Sequence, residues 1–142
     1  MSVLVNCTRD HDDRDKCIAE EKGKKYTLCN TSKFVIRKVK VDGCFPQEVN
    51  EKRCDYLMII ESIKRAIFIE LKGAALTQTL RQLSSTINFL KQELQGYQID
   101  ARIIGNGNVP RLRVTTDYRC LAKEIKPNGT IIIRTNSYSE EI

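Results

Sequence analysis

Two short runs of apolar residues, CDYLMII and AIFIELKG, lie between Cys54 and Gly73 and are separated only by the polar ESIKR. Runs of this length and β-branched content predict two strands joined by a tight turn. Their near-continuous apolar character points to burial on both faces. Upstream, FVIRKVKV alternates apolar and basic residues from Phe34, with Val35, Val39 and Val41 on one face, until the Asp42–Gly43 pair breaks it; this predicts a first strand. Downstream, Leu76, Leu80, Leu83, Ile87, Leu90 and Leu94 recur at alternating intervals of three and four. That stripe predicts an amphipathic helix ended by Gly96. IDARIIG reads as a strand, VPRLRVTT as a further extended segment, Asp117 to Ile125 as a short helix and TIIIRTN, after the turn signal PNG, as a last strand.

The N-terminal stretch is less regular. DDRDKCIAEEKGKK offers a helix cap at Asp12 or Asp13 and predicts a short helix ending at Gly23, with Glu20 and Glu21 at its acidic end. The predicted order is helix, three strands, helix, strand, short helix, strand. No internal repeat or low-complexity linker divides it, so residues 1–142 are expected to form a single α/β domain.

Composition narrows the classes. The chain has 142 residues, 41% hydrophobic and 30% charged, which is globular and large enough to bury a core. No apolar stretch approaches a membrane span and no export signal opens the chain, so a cytoplasmic protein without membrane partners is expected. The net charge of +6 and a pI near 9.1 favour polyanionic partners. In that compartment the six cysteines are expected to be reduced and mostly buried as small hydrophobes. They lack closely spaced zinc-type pairs, although Cys7, His11 and Cys17 offer a partial metal site. His11 is the only histidine, which speaks against histidine-based nuclease chemistry and a Ser-His triad.

The chemistry-bearing feature is the hairpin. If its strands pair symmetrically about Ser62 and Ile63, Asp55 lies across from Glu70, and Lys72 points to the same face two residues on. Burial of such charges calls for either a structural ion pair or a cation. Carboxylates and water suit Mg²⁺, and a lysine beside them can orient attacking water.

An aspartate at the start of one strand and an E-x-K at the end of the next resembles the PD-(D/E)XK nuclease superfamily, with Asp55 in the first position and Glu70, Leu71 and Lys72 in the second. KVDGC, RCDYL, FIELKG and RQLSSTINFL resemble small stand-alone bacterial members. The resemblance implies a restriction-endonuclease-like αβββαβ core, a mixed central sheet flanked by helices. It also implies Mg²⁺, with Mn²⁺ substituting, on Asp55, Glu70 and the Leu71 carbonyl. Lys72 would assist water attack on a phosphodiester, most naturally in DNA. Glu20 or Glu21 is a candidate further metal ligand from the first helix. Asp42 is another if the first two strands pair about Glu48. Gln82, four residues after Gln78 on the long helix, is a candidate for substrate or metal-water contact. Lys24, Lys25, Lys38 and Lys40, within a wider basic cluster, are candidates for the phosphate backbone. Cutting both strands would suggest a homodimer. The alternatives are a nucleic-acid-binding or protein-interaction module on the same fold without turnover.

Overall fold

The computed structural model describes residues 2–46, 53–71, 76–106, 115–125 and 128–142. A short helix, α1 (Ser2–Asn6), leads into β1 (Thr8–Asp12), β2 (Lys16–Glu21), β3 (Lys24–Cys29), β4 (Ile36–Lys40), β5 (Tyr56–Ile60) and β6 (Arg65–Leu71). Then come α2 (Leu76–Phe89), β7 (Gln98–Gly105), α3 (Thr116–Ile125), β8 (Ile131–Thr135) and β9 (Ser137–Glu141). Two sheets form: a mixed one ordered β1-β4-β5-β6-β7-β8 and a smaller one ordered β2-β3-β9.

Alternation along β5 and β6 assigns the layers. Leu57, Ile59, Ala66 and Phe68 pack with Leu80, Leu83, Ile87, Leu121 and Ile125 of the helices. Met58, Ile60, Ile67, Ile69 and Leu71 point the other way, against Cys17, Ala19, Tyr26 and Leu28 of the small sheet. The large sheet is therefore sandwiched, which explains why β5 and most of β6 are apolar on both faces. Each fully buried side chain of this size contributes roughly 1.5–3 kcal/mol through removal from water.

Several sequence expectations are corrected. The helix expected over Asp12 to Gly23 is a β-hairpin. Cys17 and Ala19 alternate with exposed Lys16, Ile18 and Glu20, which is period two, and Lys22 and Gly23 both adopt positive φ (49° and 80°). Two left-handed central residues are the signature of a tight hairpin turn. Val35 lies outside β4 and is exposed. The long helix stops at Phe89, where the Leu90 N–H is shared between the Thr86 and Ile87 carbonyls. Leu90 and Leu94 nevertheless stay buried before Gly96 turns the chain with φ +86°. Residues 109–114 of the expected VPRLRVTT segment lie outside the described residues. The strand β9 was not expected at all.

One cysteine pair departs from the reduced state: Cys7 and Cys44 form a disulfide with Cα atoms 5.9 Å apart. They are 37 residues apart in sequence, but the antiparallel pairing of β1 with β4 (Thr8 opposite Val39) brings them together. With Cys7 so engaged, the partial site with His11 and Cys17 does not form. No helix among the described residues is long and apolar enough to cross a membrane.

Candidate active site

Tyr56 pairs with Ile69, Leu57 with Phe68 and Ile60 with Arg65, so the hairpin is symmetric about Ser62 and Ile63 and its register carries Asp55 opposite Glu70. Both are buried, Asp55 at 2% and Glu70 at 0% exposure. Asp55 is fixed by its surroundings. Its N–H donates to the Ile69 carbonyl (3.1 Å), its carbonyl accepts from the Val41 N–H (3.0 Å), and its Oδ2 accepts from the Leu71 N–H (2.7 Å).

A third carboxylate approaches from the small sheet. Glu21 interacts with Asp55 and accepts a hydrogen bond at Oε1 from the Lys40 ammonium at 2.8 Å. Burial raises the Asp55 pKa above its ordinary value, and the neighbouring Glu21 adds to the rise; hydrogen bonds to Glu70 and to the Leu71 N–H oppose it without cancelling it. For Glu21, burial also works upward, but the Lys40 ammonium and hydrogen bonding to Asp55 hold its carboxyl below the usual glutamate range. Burial disfavours the Lys40 ammonium, yet its bond to Glu21 leaves its pKa raised. The ammonium also sits over the Tyr56 ring, 4.6 Å from its centroid.

The helix side supplies an anchor. Thr86 Oγ1 accepts from the Cys54 N–H (3.0 Å) and donates to the Gln82 carbonyl (2.7 Å), tying α2 to the residue just before Asp55. Cys54 itself is buried; this desolvation, reinforced by the charge of Glu70, pushes its thiol well above the usual range. The Gln82 carboxamide is buried with 4% of the residue exposed, and neither its oxygen nor its nitrogen has a hydrogen-bond partner among the described residues. Gln78 is exposed.

Two expected residues are displaced. Glu20 faces outward on β2 and is exposed; its neighbour Glu21 is the one that meets Asp55, because the strand alternates where a helix was expected. Asp42 does not face Asp55: Lys40 pairs with Tyr56, so Val41 takes that position and Asp42 is half-buried in the turn beyond. A slip of one residue would turn Val39 and Val41 out of the helical core, which fixes this register. Leu71 ends β6 beside Asp55, and Lys72 lies outside the described residues.

The four candidate phosphate-binding lysines do not form one track. Lys24 and Lys25 lie at the start of β3, opposite Glu21 and Glu20. Lys38 turns between the sheets, bonding the Ile18 carbonyl (2.8 Å) and approaching Asp10 Oδ2 (3.5 Å), while Lys40 holds Glu21. Of the two glutamates the sequence offers, the structure selects Glu21, and Thr86 is a residue the sequence did not single out. The period-two burial of Cys17 and Ala19 was the available signal for Glu21; none marked Thr86.

Among the described residues no group of three His, Cys, Asp or Glu side chains reaches metal-holding geometry. Asp55 and Glu70 side by side, with a strand-end carbonyl at Leu71, nonetheless suit Mg²⁺, which retains several waters and takes one or two carboxylates. Comparison of the chain with family models, with curated proteins and with solved structures finds no match.

Proposed function

We propose that this chain is a Mg²⁺-dependent nuclease of the PD-(D/E)XK type that hydrolyses phosphodiester bonds in DNA, with Mn²⁺ able to substitute. The observation that carries the reading is the β5–β6 register, which sets Asp55 opposite Glu70 at the open end of the hairpin, two residues before Lys72 in the sequence. Strands β4, β5 and β6, helix α2 and strand β7 follow one another in the βββαβ order that a restriction-endonuclease-like core would have, which supports the reading. The short α1 and the β2–β3 hairpin stand where that core would begin with a longer helix.

Asp55 and Glu70, with the Leu71 carbonyl, would hold the cation. A bound Mg²⁺ supplies charge neutralisation on the phosphate and lowers the pKa of coordinated water. The Leu71 N–H fixes Asp55 Oδ2 and so holds the carboxylate beside the strand end. Lys72 orients the attacking water, and Gln82 contributes a buried amide that has no other bond to satisfy among the described residues. Glu21 completes the acidic wall, held ionised by the Lys40 ammonium that pairs with it. Cutting both strands of a duplex would call for a homodimer, because one active site serves one strand at a time.

The test is cleavage of labelled linear, nicked, branched and single-stranded DNA and RNA with Mg²⁺ or Mn²⁺, comparing wild type with Asp55→Ala and Lys72→Ala. Metal-dependent cutting lost in both variants supports the proposal. Folded wild type that cuts nothing, or cutting that the variants retain, replaces it with a binding module on the same fold.

A further inference from the structure

We propose that the Cys7–Cys44 disulfide is a redox latch that sets how firmly the acidic end of the large sheet is held. The crosslink lies between the end of α1 and the turn that follows β4, and two chains of contact run from it to Asp55. In the first, the Cys44 and Phe45 N–H groups both donate to the Val41 carbonyl (3.1 and 2.9 Å), and the Val41 N–H donates to the Asp55 carbonyl (3.0 Å). In the second, the Phe45 ring packs against Phe89 with centroids 5.8 Å apart. The Arg53 guanidinium lies 4.5 Å over the same Phe89 ring, and its Nη1 donates to Ser85 Oγ at 2.9 Å. Arg53 is two residues before Asp55. On the other side of the bond, the Cys7 carbonyl accepts the Lys40 N–H (2.9 Å), and the Lys40 ammonium holds Glu21 against Asp55. The disulfide thus ties the residue that accepts the Lys40 N–H, just ahead of β1, to the turn whose N–H groups bond the Val41 carbonyl.

The two cysteines differ in burial. Cys7 is 2% exposed, whereas Cys44 is only partly buried, so a reductant reaches Cys44. A dithiol reductant attacks through its thiolate at the Cys44 sulfur, displacing the Cys7 sulfur, which takes up a proton. The second thiol of the reductant then attacks the mixed disulfide and releases Cys44 as a thiol. Two electrons and two protons pass to the protein, and the reductant leaves as its own disulfide. Opening the bond removes the covalent tie and leaves the turn to its non-covalent contacts, among them its hydrogen bonds and Phe45, so Val41 and Asp55 are less restrained. The effect on cleavage rests on the nuclease reading; the effect on the backbone does not.

Both are measured on the same intact chain. The protein is purified without reductant, its disulfide is verified by alkylation and mass analysis after denaturation, and half is then reduced with excess dithiothreitol. Hydrogen exchange is followed at the amides of Val41, Asp55 and Leu71. Reduction is expected to speed exchange there by about tenfold or more, with much smaller changes at Tyr26 and Leu28 of β3, as for a local opening. Cleavage with Mn²⁺ is expected to change in parallel. The Cys7→Ser/Cys44→Ser variant should exchange like the reduced wild type and ignore dithiothreitol; if it fails to fold, the in-situ reduction carries the test. Free Cys7 and Cys44 thiols in the unreduced protein, a bond that excess dithiothreitol leaves intact in the folded chain, or unchanged exchange after full reduction would overturn the latch. Exchange that responds in a protein that cuts nothing upholds the latch and defeats the nuclease.

Discussion

Arg102 is 1% exposed on β7, and its replacement by methionine gives the sharpest test of how the two sheets are joined. Its Nε donates to Glu140 Oε2 at 2.6 Å and its Nη2 to Oε1 at 3.3 Å, a two-pronged grip on the last strand. Nη1 donates to the Ala101 and Thr130 carbonyls and to Thr130 Oγ1 at 3.0–3.1 Å. Arg102→Met keeps most of the volume but strands the Glu140 carboxylate, whose remaining bond is the Tyr26 hydroxyl at 2.6 Å. Removing one partner of a buried pair costs about 3–5 kcal/mol. Glu140 keeps 16% side-chain exposure, so water reaches it and the lower end applies, about 3 kcal/mol. With a urea slope of about 2 kcal/mol/M, the unfolding midpoint followed by circular dichroism falls by about 1.5 M. Adding Glu140→Gln to the variant should then cost little more, since the orphaned charge is gone. A midpoint shift corresponding to less than about 1 kcal/mol would refute the argument that this pair joins the sheets.

Thr86→Val removes the acceptor of the Cys54 N–H and the donor to the Gln82 carbonyl while keeping the shape, and should lower stability by about 1–3 kcal/mol in thermal unfolding, with Thr86→Ser recovering most of it. The raised pKa of Asp55 means its contribution to stability is fully present below the ordinary aspartate value of 3.8 and is lost as pH rises through the folded value. Asp55→Asn is therefore expected to be more stable than wild type at pH 7 without metal, with the gap closing below pH 3.8; a variant less stable at pH 7 contradicts this. Mg²⁺ at about ten times its dissociation constant should stabilise wild type by roughly 1.4 kcal/mol and leave Asp55→Asn and its melting temperature nearly unmoved. A methyl group on Gly129 would lie 1.7 Å from the Ile99 carbonyl oxygen, so Gly129→Ala should cost about 3 kcal/mol or fail to fold, and a well-folded variant of wild-type stability would refute that packing.

What the sequence makes legible follows the strength of its patterns. The β5–β6 hairpin and its register, and with them the facing of Asp55 and Glu70, were readable because apolar strands flank a polar turn symmetrically. Helix α2 was readable from its leucine stripe, though its end was not, since Leu90 and Leu94 remain buried in non-helical turns. The β2–β3 hairpin was missed because its inward positions are Cys17 and Ala19, residues that carry little strand signal amid charges. Strand β9, SYSEE, has no apolar face to read; it is held by parallel pairing to β3 and by Glu140. The register of β4 was misjudged by one residue, which exchanged Asp42 for Val41. The choice between Glu20 and Glu21 was open for the same reason the hairpin was missed, since only strand alternation separates the two.

The parallel pairing of β3 with β9 sets an order of events during synthesis. Tyr26 and Glu140 are bonded across 114 positions of chain, so β3 leaves the ribosome long before its second neighbour exists. Until β9 arrives, Tyr26 and Leu28 have no strand beyond them, and the far edge of β3 is open to any other extended chain. Closure of the small sheet waits on β9, made long after β3, which delays maturation relative to a fold built from neighbouring pieces. Molecules caught in that interval carry an unpaired strand edge that invites association between nascent chains.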